Sequence, residues 1–335
     1  MTDVPILSVN GLRKEFPTRA KGLMGAPGSI LAVDDISFDI ARGEVLGLVG
    51  ESGCGKTTTG RLVLRLIEPT AGSIRFDGID ISRLAPAAMR MMRRRMQIVF
   101  QDPFGALNPR MTAGELITEP LVVHGVGTPL EREARLRDLM DRVGLATWQA
   151  GRFPHEFSGG QRQRICIARA LALAPELLVC DEAVSALDVS VQAQILNLLQ
   201  DLRRDLGLTY LFISHDLGVV HHISNRVAVM YLGQIVEIGP RDLVFSDPAH
   251  PYTRALLNSV PSAQKGRKSF FTIAGDVPSA AKPPPGCRFH TRCPLAVDRC
   301  RTEPPALRSL DGDARTAAAG RLVACHLAGT SAALG

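Results

Sequence analysis

Apolar and polar positions along the first part of the chain follow strand patterns and then a helical one. The segment ILSVNGLRKEF predicts a strand, ILAVDDISFDI alternates like a strand, and EVLGLVG is a continuous apolar run suited to a buried parallel strand. A glycine-rich loop follows, and the stretch TTGRLVLRLI then predicts a helix. This order of strand, loop and helix marks the position of the first chemical motif.

Helices and strands then alternate, apart from one stretch without strands. Residues 102–157, which include PLEREARLRDLMDRVGL, have helical period and charge, and they predict an inserted helical subdomain. After them come a helix (QRQRICIARALAL), a strand (LLVCDE), a helix (VSVQAQILNLLQDLRRDL), a strand (TYLFISHD) and a strand pair (RVAVMYLGQIVEIG). This alternation predicts an α/β fold with a doubly wound sheet.

The pattern breaks at DPAHPY, where a second region begins. A short helix, TRALLNSV, precedes the proline-rich linker VPSAAKPPPG, and four cysteines follow. A chain of 335 residues with 45% hydrophobic content suits one large and one small domain. We therefore expect a large domain over residues 1–250 and a small cysteine-containing domain over residues 251–335.

Composition bears on the compartment more than on the chemistry. No run of about 18 apolar residues occurs, and the first residues lack the order of a signal peptide. We therefore expect a cytosolic chain whose membrane role, if any, depends on a partner. The net charge of +6 is modest and by itself indicates only solubility.

Residues Gly50 to Thr57 match the phosphate-loop pattern G-x4-G-K-[ST]. Glycines let successive backbone N–H groups turn towards phosphate oxygens, and the N-terminus of the following helix adds positive potential. Lys56 is expected to reach the β- and γ-phosphates, and the Thr57 hydroxyl to bind Mg²⁺. The alternative is a chance glycine-rich turn. The predicted ATP-binding residues of this loop are Gly50, Ser52, Gly53, Cys54, Gly55, Lys56, Thr57 and Thr58.

Two acids end the apolar strand LLVCDE. Asp181 would orient the Mg²⁺ shell, and Glu182 would polarise the attacking water. Because many strands end in an acid, the motif gains its meaning from the phosphate loop that precedes it.

Cys54 lies inside the phosphate loop, next to a helix N-terminus and near Lys56. Both neighbours should favour the thiolate, so alkylation is expected to inactivate the protein and MgATP to protect it. The alternative is a tolerated small residue without a redox role.

The sequence Phe157-Ser158-Gly159-Gly160-Gln161, followed by RQR, resembles the LSGGQ signature of ABC ATPases with Phe157 in place of Leu. Ser158 can cap the following helix, and the glycines allow a phosphate to approach. The resemblance covers about residues 7–251. It implies a P-loop NTPase of the RecA-like type, with an ABC nucleotide-binding domain, an inserted α-helical subdomain and a small C-terminal domain.

The resemblance also implies roles for residues outside these motifs. Gln101 in VFQDP looks like the glutamine of the Q-loop, Asp188 like the D-loop aspartate, and His215 in FISHD like the switch histidine. Phe16 stands where the family places its adenine-stacking aromatic residue. The resemblance implies that the catalytic residues are Glu182, His215 and Gln101. It implies that the Mg²⁺ ligands are Thr57, Gln101 and Asp181. Ala183 stands where many relatives carry Pro, which removes no catalytic group.

By the same resemblance, two such subunits form a head-to-tail dimer around two ATP molecules. Ser158, Gly159, Gly160, Gln161 and Asp188 of one subunit would contact ATP held by the other. Segments such as RFPHEFSGGQRQR and DPAHPYTRALLNSVP are similar to the ATPases of dipeptide and oligopeptide importers, with the F-type subunit as the best match. The basic loop PTRAKGLMGAPGS also fits that branch.

The implied partners are a second ATPase, expected to be a D-type paralogue, two transmembrane permease subunits and an extracytoplasmic solute-binding protein, with no nucleic acid. The chain would lie peripherally on the cytoplasmic face of the inner membrane. A related machine that imports nickel or another small solute is the alternative. An ABC ATPase acting on DNA or the ribosome and a nucleotide-binding sensor are two further classes.

Four of the seven cysteines crowd the C-terminal region, in the spacing Cys287-x5-Cys293-x6-Cys300-x24-Cys325. In a reducing compartment this favours a metal site over disulfides. These spacings exceed those of common zinc sites, and four thiolates can hold a [4Fe–4S] cluster, as some importer ATPases do. An iron–sulfur cluster, zinc, and unliganded thiols or disulfides all stay open. His290 and His326 are interpreted as neighbours of the cysteines.

Overall fold

The computed structural model describes residues 4–18, 28–259, 275–309 and 320–329. The strands in these residues are β1 (Leu7–Thr18), β2 (Gly28–Ile40), β3 (Val45–Val49), β4 (Ala71–Phe76), β5 (Ile79–Asp80), β6 (Met96–Val99), β7 (Leu177–Asp181), β8 (Thr209–Ile213), β9 (Arg226–Tyr231), β10 (Gln234–Pro240), β11 (Arg308–Ser309) and β12 (Leu322–Val323). The α-helices are α1 (Lys56–Val63), α2 (Pro86–Met92), α3 (Pro103–Ala106), α4 (Ala113–Val123), α5 (Pro129–Arg142), α6 (Gly159–Leu171), α7 (Val189–Leu206), α8 (Leu217–Ile223), α9 (Arg241–Ser246), α10 (Pro251–Asn258) and α11 (Asp298–Thr302).

Two compact units emerge from the pattern of contacts. The phosphate-loop unit contains residues 7–39 and 46–82 together with the described residues from 215 onward, and the signature unit contains residues 40–45 and 83–214. The described residues after 250 therefore group with the phosphate loop. The domain boundary expected at residue 250 stays a prediction.

The phosphate-loop unit contains an antiparallel sheet in the order β2-β1-β4-β5. Strand β1 of this sheet pairs with β4 in a register that places Leu7 opposite Phe76 and Val9 opposite Ile74. These four side chains are buried, whereas Asn10 is exposed. The sheet thus has one face in the core, as expected for an alternating strand.

The strand before the phosphate loop belongs to a second group of strands in this unit. All five residues of β3 are buried, and β3 pairs in parallel with β9. Strands β9 and β10 form a hairpin. The other edge of β10 pairs with β12, which in turn pairs with β11. The last described strand of the chain is therefore part of the sheet that supports the phosphate loop.

A buried ion pair fastens this last strand. Arg321 donates to the carboxylate of Glu237 with an Nη2–Oε1 distance of 2.6 Å, and neither side chain is exposed. The same carboxylate accepts from the backbone N–H groups of Ala249 and His250. A buried charge needs such partners, since an unpaired one is strongly destabilising. The C-terminal residues are consequently tied to β10.

The signature unit contains the parallel strands β6, β7 and β8, and every residue of β7 and β8 is buried. Between residues 102 and 157, all of which the structure describes, the chain forms helices and no strand, as the sequence predicts. Two of these helices begin at capping boxes, Thr112 with Glu115 and Thr128 with Glu131. Reciprocal bonds of this kind satisfy backbone donors that a helix start leaves open.

Two helix ends differ from the sequence-based expectation. Helix α1 stops at Val63 rather than continuing through TTGRLVLRLI, and Arg65 has a positive φ of 49°, which is incompatible with a helix. Helix α10 begins at Pro251, before TRALLNSV, because the imidazole of His250 accepts from the Tyr252 N–H as an N-cap. Part of the basic loop PTRAKGLMGAPGS, residues 19–27, lies outside the described residues, as does residue 260.

His250 generates a prediction about stability and pH. Burial lowers the pKa of His250 to about 3, against an ordinary value of about 6.5. At a pH between these two pKa values, the His250 imidazole is protonated in the unfolded chain but not in the folded one. The free energy of unfolding should therefore fall as the pH drops below about 6.5. His250→Asn keeps a capping acceptor and does not titrate. Its loss of stability between pH 7 and pH 5, measured by urea unfolding, should be smaller by about 2 kcal/mol. Equal losses in both proteins would contradict this assignment.

Candidate functional site

The phosphate loop joins β3 to α1, and its shape depends on glycine. Gly55 is the N-cap of α1 with a φ of 109°, and a Cβ there would lie 2.3 Å from the carbonyl oxygen of Ala32. No other residue type fits this position without moving β2. The N-terminus of α1 is thereby left without a side chain at its cap, as phosphate binding at a helix start requires.

Lys56 is held inside this loop. Its side chain is almost fully buried, and Nζ donates to the carbonyl oxygens of Gly50 at 2.8 Å and Glu51 at 3.0 Å. Thr57 follows in the first turn of α1 and is half-buried. A buried ammonium group beside a helix N-terminus creates a strongly positive point. The loop can therefore bind an anion such as a polyphosphate.

The expectation that Cys54 is a thiolate is wrong. The side chain is only 4% exposed, and burial raises the pKa of the thiol above its ordinary value. Lys56 acts in the opposite direction, since its Nζ lies 3.9 Å from Sγ, but desolvation outweighs this attraction. Cys54 is thus a buried small residue, in line with the alternative interpretation.

Phe16 and His215 belong to the same unit as the phosphate loop. Phe16 lies near the end of β1 with 37% of its surface exposed, and Nζ of Lys14 lies 5.1 Å from the ring centroid. His215 is exposed and lies two residues before the start of α8. The start of that helix is fixed by Asp216, whose carboxylate accepts from the N–H groups of Gly218 and Val219. Both side chains are accessible to a ligand.

The signature unit brings Gln101 and Glu182 together. Nε2 of Gln101 donates to Oε2 of Glu182 at 2.8 Å. Asp181 is buried at the end of β7, and Glu182 follows with a positive φ of 50° while its N–H donates to the carbonyl of Ile213. This backbone turns the Glu182 side chain out of the strand direction, and an uncommon conformation of this kind is typical of functional sites. The pair can hold and orient a water molecule.

Ser158 caps α6 as the sequence predicts. Its hydroxyl accepts from the N–H of Gln161, whose side chain in turn accepts from the N–H of Ser158. Gly160 allows α7 to approach, since a Cβ there would lie 2.4 Å from Cγ1 of Val191. Phe157 is buried, so the position requires an apolar side chain, and Phe can replace the usual Leu.

Asp188 is the N-cap of α7. Its carboxylate accepts from the N–H of Val191 and from the hydroxyl of Ser190, and the bond from Val191 contributes most to lowering the pKa of Asp188. The carboxylate is exposed and stays ionised. Ala183, which replaces the usual Pro, is buried.

The four C-terminal cysteines lie near one another in the phosphate-loop unit. Cys287 donates its N–H to the carbonyl of Cys300, and the other thiols act electrostatically on Cys293. Burial raises the pKa of Cys287 to about 11 and of Cys293 to about 12. Within the part of the chain that the structure describes, no three His, Cys, Asp or Glu side chains are arranged around a single metal ion. The ring of His290 contacts the carbonyl of Cys287, and that of His326 contacts the carbonyl of Glu303.

Comparison with known proteins identifies the family of this chain. A family model described as ABC transporter matches residues 33–185, and one described as oligopeptide/dipeptide transporter, C-terminal region, matches residues 236–300. A relative in Brucella ovis is 56% identical over 311 residues, which are 92% of this chain and 96% of the relative. The chain belongs to the ABC-transporter ATP-binding proteins. It is an ATPase of this family, for which ATP and Mg²⁺ are the expected ligands and a membrane permease the expected partner.

The relatives carry names that agree with one another. The Brucella ovis protein is named a putative peptide import ATP-binding protein. The oligopeptide transport ATP-binding protein AppF of Bacillus subtilis is 50% identical over 326 residues, covering 96% of this chain and 97% of AppF. This ATP-binding protein is therefore similar to them over both of its regions.

Solved structures share the fold. A dimeric ATP-binding cassette with ADP and phosphate, described as a post-hydrolysis state, has a TM-score of 0.61 and 27% identity and covers 70% of this chain and 98% of its own. The protein cbiO1 of Clostridium perfringens, part of an ABC transporter complex, has a TM-score of 0.63 and 27% identity, with coverages of 72% and 91%. Among the described residues, no helix combines the length and the apolar character needed to cross a bilayer.

The buried state of Cys54 predicts low reactivity in this ATP-binding protein. Iodoacetamide at pH 7.5 should leave Cys54 unmodified in the folded chain, because the thiol is both inaccessible and protonated. Peptide mass mapping after labelling should find modified Cys54 only when urea is present. Rapid modification of Cys54 in the folded chain would restore the thiolate hypothesis.

Proposed function

We propose that this chain powers the uptake of dipeptides or oligopeptides as the ATPase subunit of an ABC importer. The match of residues 236–300 to the C-terminal region of oligopeptide and dipeptide transporters carries this proposal. The relatives named for peptide import, which are similar over nearly the whole chain, support the same cargo. The complete set of phosphate-loop, acidic and signature residues supports active hydrolysis.

In the proposed hydrolysis of ATP, each step is assigned to one of the side chains of the candidate site. Lys56 and the N-terminus of α1 bind the phosphates, while Thr57, Gln101 and Asp181 would hold Mg²⁺. Water attacks the γ-phosphorus, Glu182 accepts its proton, and the bond to the β-phosphate oxygen breaks to release ADP. The hydrogen bond from Gln101 keeps the Glu182 carboxylate oriented. His215 would contact the γ-phosphate, and Phe16 would stack on the adenine.

Two such subunits are proposed to act as a head-to-tail pair. The exposed cap of α6 at Ser158 and the exposed Asp188 would face the ATP of the partner. The γ-phosphate would favour the closed pair, and its loss would reopen it. The partner ATPase is proposed to be a D-type paralogue. Two permease subunits and an extracytoplasmic solute-binding protein would complete the importer, with this chain on the cytoplasmic face of the inner membrane.

We also propose a [4Fe–4S] cluster on Cys287, Cys293, Cys300 and Cys325. The donor set fits, because four thiols interact within one region of the unit. A single zinc ion needs its sulfurs about 2.3 Å from one point, whereas a cluster binds each thiolate at a different iron. Four thiolates in one region could therefore each bind a different iron of one cluster. When bound, such a group supplies cross-linking of the C-terminal segments and a redox-active centre.

The peptide-import proposal predicts a transport defect in cells that carry only Glu182→Gln. This variant should bind ATP and stall, so uptake of labelled dipeptide and of longer peptide should fall to the background level while nickel uptake continues. The matched control is Glu133→Gln, an exposed glutamate on α5, which should transport normally. Loss of nickel uptake alone would move the cargo to the alternative importer. Unchanged hydrolysis in Glu182→Gln would refute its role as the base.

The cluster proposal predicts iron and sulfide in the protein. The full chain purified without oxygen should contain about four irons and four acid-labile sulfides. Cys300→Ser should lose most of both, whereas Cys166→Ser, a buried cysteine of the signature unit, should retain them. Stoichiometric zinc without sulfide would replace the proposal, and a chain with neither metal would reject both sites.

A further inference from the structure

Glu51, the second residue of the phosphate loop, has all of its polar groups engaged. Its N–H donates to the hydroxyl of Tyr252 at 3.0 Å, and its carbonyl oxygen accepts from Nζ of Lys56 at 3.0 Å. Its carboxylate accepts two parallel bonds from Arg292, Nη1 to Oε2 at 2.8 Å and Nη2 to Oε1 at 3.1 Å. A two-bond arginine–carboxylate pair fixes orientation as well as charge.

Arg292 reaches the loop from the cysteine segment, defined here as residues 286–302. The residue directly precedes Cys293, and its N–H donates to the carbonyl of Phe289 at 2.9 Å. Its side chain is only 7% exposed, against 24% for Glu51. The guanidinium also lies near the ring of Tyr231, 5.8 Å from the centroid. The ion pair is therefore shielded from solvent and is worth more than a surface pair.

An aromatic cluster holds the cysteine segment in place. The ring of Phe289 packs edge-on against Tyr231 and Tyr252, with centroids 5.3 and 5.4 Å away, and His250 lies 5.9 Å away. Tyr252, which accepts from Glu51, thus belongs to the same cluster. Glu51 is fixed through its backbone and its side chain by residues that pack on one another.

A second arginine of the segment reaches the other support of the loop. Arg288 donates to the carboxylate of Asp34 on β2 and to the carbonyl of Leu232. Two residues before Asp34, the carbonyl oxygen of Ala32 closes the space beside Gly55 of the loop. The cysteine segment consequently contacts both the phosphate loop and the strand against which the loop rests.

We infer that Arg292 is a positioning residue for ATP, which holds Glu51 and through it the amino group of Lys56. Arg292 also neutralises a carboxylate that would otherwise repel the phosphates entering the loop. A cysteine segment that moved would release both effects at once. Nucleotide affinity in this family member is thereby coupled to the folding of its C-terminal region.

The test measures the Kd of MANT-ATP for the full chain and the KM and kcat of its ATPase activity. Arg292→Gln should raise Kd and KM about tenfold and leave kcat within about twofold, because misplacement affects phosphate binding first. The matched control is Arg299→Gln, which removes an exposed arginine of the same segment. This arginine pairs with Glu303. The Kd of this variant should equal that of the wild type.

A double-mutant cycle separates positioning from general destabilisation. In a Glu51→Gln background, Arg292→Gln should change Kd by less than about twofold, since the partner charge is already gone. Arg292→Lys keeps the charge without the two parallel bonds, so its Kd should be intermediate, and it serves in the cycle if Arg292→Gln does not fold. Equal effects of the arginine substitution in both backgrounds, or a fall in kcat with unchanged KM and Kd, would overturn the inference. Binding of MANT-ATP is measured without cargo or permease, so failure here is distinct from failure of the proposed transport.

Discussion

A loop that binds phosphate must keep positive groups pointed at one place, and this requirement governs the surroundings of Lys56. The ammonium group is buried, so it needs acceptors, and two backbone carbonyls of the loop provide them. Those carbonyls can serve only if the backbone of Glu51 is fixed. Tyr252 and Arg292 fix it, so residues far along the chain become part of the geometry of the first motif.

In the signature unit, the end of a parallel strand places the acidic side chains proposed for hydrolysis. Parallel strands end at one edge of a sheet, and the acids Asp181 and Glu182 stand where β7 ends. Asp181 is enclosed, whereas Glu182 leaves the strand with a positive φ and is met by Gln101. The same strand end thus yields one carboxylate suited to a metal shell and another suited to a water molecule.

Much of this arrangement could be predicted because it is encoded locally. A serine three residues before glutamine predicts the capping box of α6, and the apolar run EVLGLVG predicts a fully buried β3. The state of Cys54 could not be read in this way, because its pKa depends on burial that the sequence around it does not reveal. The end of α1 was also missed, since it depends on the backbone of Arg65.

The contact between Arg292 and Glu51 joins residues 241 positions apart, so no local pattern indicates it. Tertiary structure alone brings the two side chains together. The C-terminal region is bound to the phosphate-loop unit by three ion pairs of low exposure, of Arg288, Arg292 and Arg321. Each joins an arginine after the proline-rich linker to an acid before residue 240. Removal of either partner would leave the other as an unpaired charge of low exposure, which is strongly destabilising. If this region unfolded, Asp34, Glu51 and Glu237 would lose these partners, and in the case of Glu51 the loss would fall within the phosphate loop itself.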